Sequence, residues 1–177
     1  MASELTQAMI VNGAVLVAVL ESDLGPHRRI GRLRVLRPPL AACVIVPLFV
    51  ARPATHGTGL LLEVLAAALG FLGGLAALAL MDVYRSPRTG GAVSRSGWPY
   101  ALLWVVVVGA RTAFSYGSAH WFPAQLASWC GRHDVSAAAI TDGLILMAVA
   151  MLLTRTVGLA HRAAKLPPAA RPVPLSA

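Results

Sequence analysis

The sequence predicts an all-α fold: a polytopic transmembrane helix bundle of five spans, with the N-terminus outside and the C-terminus in the cytoplasm. Three observations lead there. Five apolar runs alternate with short polar stretches along 177 residues. Charged residues make up 12% of the chain and the mean hydropathy is +0.70. An ordinary soluble domain carries about 25% charged residues, so this chain has too few polar side chains to coat a water-facing surface. Lipid is therefore the solvent for much of it. The third observation is that the basic residues gather on alternate connections, which is how membrane topology is encoded.

The expected spans are 5–20, 39–51, 59–81, 98–119 and 135–160, together forming one transmembrane domain over residues 1–165. About 20 helical residues cross roughly 30 Å of hydrocarbon, and the last three runs meet that length. The first does so if its polar start is included. It ends at Glu21, Ser22 and Asp23 rather than at a small-residue cleavage site. With no basic residue ahead of it, it reads as a retained helix rather than a signal peptide. The second run is short and contains Pro47, which would kink a helix, and a re-entrant or interfacial segment is its alternative. The tail 166–177 holds four prolines and few large apolar side chains, a composition that predicts disorder.

Charge sets the orientation. Arg28, Arg29, Arg32, Arg34 and Arg37 lie in the first connection, and Arg85, Arg88 and Arg95 in the third. Arg155, Arg162, Lys165 and Arg171 close the chain, while only Arg52 and Arg132 fall on the opposite side. An excess of Lys and Arg marks the cytoplasmic face, and a twelve-to-two split requires five crossings. The net charge of +8 belongs to these loops and not to a basic face, so nucleic acid is not an expected partner. The expected partners are the lipid bilayer and either another membrane protein or a second copy of this chain. The expected location is the plasma membrane. Fourteen Arg to one Lys, with abundant Ala and Gly, is the bias of a GC-rich bacterial genome.

Four polar residues fall within the spans: Asn12, Glu63, Arg111 and Asp142. Ionisable groups inside a bilayer are costly and point to function or to pairing. At 1.5 Å per residue, all four fall in the outer third of the membrane. The expectation is a buried polar cluster in which Arg111 pairs with Asp142 or Glu63. Thr112, Ser115 and Thr141 are its hydrogen-bonding neighbours. It is either an outward-facing site for a substrate or proton, or an ion pair that fixes helix register.

Small residues recur every fourth position at Ala66, Gly70 and Gly74, and again at Gly109, Ala113 and Gly117. Such stripes let helix backbones approach closely in lipid, so the third and fourth spans are expected to pack tightly, within one chain or between two. The connection from His120 to Asp134 carries Trp121, Phe122 and Trp129, and aromatics prefer the membrane interface; a short surface-lying helix is expected. The loop 21–29, with Glu21 and Asp23 just before its basic run, offers a cytoplasmic surface for anionic headgroups or a partner, or simply determines topology. His56, His120 and His133 lack metal-ligand spacing, and no metal or cofactor is expected. Cys43 and Cys130 lie at different depths and should not form a disulfide. No nucleophile elbow, HExxH, phosphate-binding loop or dinucleotide fingerprint is present, so no catalytic residue is assigned.

Several stretches resemble the bacterial CcdC-like family of small membrane proteins. They are Arg32-Leu33-Arg34-Val35-Leu36-Arg37-Pro38, the glycine-rich run Gly70 to Gly74, Arg111, and Thr141-Asp142 with Arg155. The resemblance implies a multi-span protein without an assigned reaction, and its name implies a link to cytochrome c maturation. Paired cysteines serve that pathway, and this chain has no such pair, which argues against thiol transfer. The expected role is non-enzymatic, that of an accessory or assembly factor. The rivals are a small transporter, export or self-protection protein using the polar cluster, and an intramembrane enzyme.

Overall fold

The computed structural model describes residues 57–86 and 89–167, together with 13, 16–17, 19–21, 23–31, 35–36, 39–40, 42–43 and 47. Asn12 and most of the expected spans 5–20 and 39–51 lie outside the described residues, as does the tail from 168 onward.

Three helices are long and apolar enough to cross a membrane. They are α1 (Gly57–Ala79), α2 (Trp98–His120) and α4 (Ala137–Ala164). With 23, 23 and 28 residues, their lengths are about 34, 34 and 42 Å. Each agrees to within a few residues with a predicted span. Their outer faces present Leu61, Leu65, Leu69, Val106 and Val157, all more than half exposed, as a lipid-facing surface requires. Between α2 and α4 lies α3 (Pro123–His133), a short helix none of whose residues is buried. Pro123 stands at its start, where a missing N–H costs nothing, and Asp134 ends it in the left-handed conformation (φ 52°). The Ser136 hydroxyl accepts from the Ala139 N–H at 3.0 Å and caps α4.

The fold is not purely helical, which corrects the all-α expectation. Strands β1 (Gly25–Arg29), β2 (Met81–Arg85) and β3 (Ala92–Ser96) form an antiparallel sheet in the order β1-β3-β2. The physical reason is backbone satisfaction at a surface where chain must turn. Met81-Asp82-Val83-Tyr84-Arg85 and Ala92-Val93-Ser94-Arg95-Ser96 have the short, β-branched and alternating pattern of strands, and a Gly90-Gly91 turn separates them. Gly90 takes φ 64° there, a conformation that costs glycine little. Val93, Ser94 and Ser96 on the central strand are buried. The hydrophobic core sits against this sheet: Ala77, Leu78 and Met81, Tyr100 and Trp104, Met151 and Leu159.

Within the chain the tightest helix pair is α1 with α4, not α1 with α2, so the third and fourth spans are not paired within one copy. A Cβ on Gly70 would lie 2.1 Å from the Met147 carbonyl oxygen, and one on Gly74 would lie 2.6 Å from that of Met151. Gly143 and Gly158 on α4 receive Leu62 and Leu78 in turn. The α2 stripe does something else. A Cβ on Gly109 would meet nothing within 4 Å, and Gly117 is covered by the ring of Phe122.

Candidate functional site

The most completely connected polar site lies at the sheet end of the bundle. Asp23 ends a helical turn, marked by the Leu24 N–H donating to the Leu20 carbonyl at 2.8 Å. Its carboxylate is fully buried. Arg155, nine residues before the end of α4, forms an ion pair with it. The Tyr100 hydroxyl, one turn into α2, donates to the same carboxylate at 2.5 Å and accepts from Arg155 Nη1 at 3.1 Å. The second guanidinium nitrogen donates to Asp23 Oδ1 at 3.4 Å. Ser96 on β3 donates to the Asp23 backbone carbonyl at 2.5 Å. One acid thus ties together the first helical segment, β3, α2 and α4.

A buried ion pair persists only where its remaining valences are met, and here nearly all are. Two donors are left over: Arg155 Nε and the Trp104 indole N–H, both buried and without an acceptor within hydrogen-bonding distance. Trp104 stacks obliquely beside Tyr100, with ring centroids 6.3 Å apart. Neighbouring arginines brace the same end. Arg162 donates to the carbonyls of Leu78 (2.8 Å) and Met81 (3.1 Å), capping the C-terminus of α1 with positive charge. Arg85 donates to the carbonyls of Gly90 (2.9 Å), Leu166 (3.4 Å) and Pro167, which holds the start of the tail against the sheet.

The residues expected to cluster in the outer third are only partly brought together. Glu63 on α1 and Asp142 on α4 are both buried, and they face each other closely enough for their charges to interact. Gly143, beside Asp142, lies against this part of α1: a Cβ there would lie 2.9 Å from Leu62 Cδ2 and 4.0 Å from the Glu63 Cα. Arg111 is partly buried on α2 and makes no ion pair with either carboxylate among the described residues. Thr112 and Thr141 spend their hydroxyls on carbonyls of their own helices, those of Val108 and Ala137. Ser115 and Thr141 line a cavity of about 540 Å³ between α2, α3 and α4, with Phe114, Leu126, Ile140 and Leu144. Cys43 and Cys130 are free thiols. Among the described residues, no three potential metal ligands come together.

Reading the sequence missed the Asp23–Tyr100–Arg155 network because it treated Asp23 as a loop residue and Arg155 as a cytoplasmic topology charge. A signal was present. Arg155 lies inside the predicted span 135–160, so by the cost of intramembrane charge it needed a partner as much as Arg111 did.

Comparisons with protein-family models, with curated proteins and with solved structures each return no match. The likeness to the CcdC-like family rests on the sequence stretches alone.

Proposed function

We propose that this chain is a non-enzymatic, five-span protein of the plasma membrane, N-terminus outside and C-terminus in the cytoplasm, that serves as an accessory or assembly factor. The observation that carries the reading is the sealed Asp23–Tyr100–Arg155 network. Its groups are 0%, 0% and 4% exposed and are spent on one another. That is the arrangement of a residue set that holds helices in register, not one that meets a substrate.

The sheet supports the topology. Strand β1 pairs with β3, so the first and third connections lie at one end of the bundle. Helix α1 leads into β2 at that same end, so Gly57 begins at the opposite end, about 34 Å away. The chain between Ile30 and Gly57 therefore links opposite ends of α1, which favours one crossing there and five in all. Reporter fusions at Ser3 and Ser176 test this directly. Activity in opposite compartments is expected, and activity of both in the same compartment would refute five spans. Co-purification from native membranes tests the accessory role, which requires a stoichiometric partner.

One observation favours a second reading, that of a small transporter. Glu63 and Asp142 face each other in the apolar interior of the α1–α4 pair, and paired intramembrane carboxyls are a recurrent element of proton and cation pathways. Transport requires that Asp142→Asn abolish a flux while leaving the fold intact. An unchanged phenotype in that variant removes this reading.

A further inference from the structure

We propose that the sheet end of the bundle is a docking surface for anionic phospholipid headgroups of the leaflet it faces. The proposal rests on the reading of the three long helices as spans. Sheet formation gathers onto one end described stretches that are distant in sequence: 25–31, 81–86, 89–96 and 161–167. Together these described residues contain six Arg or Lys and one acid, Asp82. Two further acids lie just before β1: Asp23 is neutralised by Arg155, and Glu21 is exposed. Even with Glu21 and with Asp82, which lies opposite Arg95 across the β2–β3 ladder, the described residues leave this surface with a net positive charge.

The charges are also presented outward. Arg95, Arg162 and Lys165 are exposed. Arg162 uses one nitrogen to cap α1, but a carbonyl does not neutralise its charge. Trp98 gives the depth. It stands at the first position of α2, directly after β3, and is 74% exposed. An indole in that position prefers the headgroup layer, which puts Arg95, three residues earlier, at phosphate level. The basic side chains and the aromatic belt coincide at one height, the condition under which each Lys or Arg attracts anionic lipid. Charge complementarity favours a phospholipid with net negative charge over a zwitterionic one, because a zwitterion offers no net charge to the surface.

The test uses the full chain reconstituted in equimolar phosphatidylcholine and phosphatidylglycerol, with retained lipids counted by native mass spectrometry after gentle extraction. Phosphatidylglycerol should be retained preferentially, and added potassium chloride should weaken the preference. The double variant Arg95→Gln/Lys165→Gln removes two exposed charges that hold no part of the fold by hydrogen bonds among the described residues. It should lose roughly fivefold in affinity per charge removed. Equal retention of the two lipids overturns the proposal, as does a preference that neither salt nor the double variant reduces. Thermal stabilisation by polyglutamate with none by phosphatidylglycerol overturns it in favour of an acidic protein partner. A chain that does not float with vesicles at all overturns the membrane reading as well, so the two failures are distinguishable.

Discussion

Arg155 reaches the carboxylate of Asp23 across 132 positions of sequence, and the two close the bundle between α4 and the first helical segment. Both side chains are buried, and Tyr100 completes the contact from α2. Removing one partner of such a pair strands the other charge in the interior. Arg155→Met should therefore cost about 3–5 kcal/mol, read as a lowered unfolding midpoint in detergent by circular dichroism. Combining it with Asp23→Leu should restore much of the loss, because no charge is then left unpaired. Tyr100→Phe removes a hydroxyl that donates to the acid and accepts from the guanidinium, and should cost about 1.5–3 kcal/mol. Wild-type midpoints for both Arg155→Met and Tyr100→Phe would refute the network as a structural tie.

The glycines of α1 and α2 make opposite predictions despite their identical spacing. Gly70→Ala places a methyl 2.1 Å from the Met147 carbonyl oxygen, against backbone that cannot swing aside. Overpacking of this kind costs about 1–3 kcal/mol. Gly109→Ala meets nothing within 4 Å and should be neutral or slightly stabilising, since alanine is the better helix former. Thermal unfolding of the two variants side by side decides the matter.

Arg162 holds the junction where α1 gives way to β2. Its two hydrogen bonds to the carbonyls of Leu78 and Met81 are charge-assisted. Arg162→Met should weaken this junction by about 1.5–3 kcal/mol without separating α1 from α4, whose contact lies deeper. Hydrogen exchange should accelerate in Met81–Arg85 while the amides of α1 near Gly70 stay protected. Uniform acceleration along α1 would mean that the cap supports the whole helix.

Orientation can be read from single cysteines. With Cys43 replaced by serine, Cys130 on α3 should react with a membrane-impermeant maleimide added to intact cells. Arg95→Cys, in a chain lacking both native cysteines, should react only after the cells are opened. Labelling of both positions from one side would place α3 and β3 at the same end of the bundle, against the 23-residue helix that separates them.

The helical content of the long apolar runs was legible because hydropathy is a sum over neighbours in sequence. Segments 59–81, 98–119 and 135–160 appear as α1, α2 and α4 with ends shifted by four residues at most. A short helix was also legible in the connection from His120 to Asp134, and α3 forms there with none of its residues buried. The hairpin of β2 and β3 left a local trace in the Gly90-Gly91 turn, but its short strands sit in what reads as a charged connection. The polar residues were easy to find by type and hard to assign by partner. Arg111 drew attention as a charge in a span, while Arg155, equally within a span, passed as a topology signal.

The sequence by itself determined the apolar character of this protein and the approximate extent of three helices long and apolar enough to cross a membrane, since these depend on composition along the chain. Tertiary structure alone decided that α1 packs on α4, that β1 joins the third connection, and that Asp23 belongs to Arg155. Those outcomes depend on which distant surfaces fit. A glycine opposite a carbonyl oxygen, or a guanidinium opposite a carboxylate, has its meaning only once the chain has brought the two together.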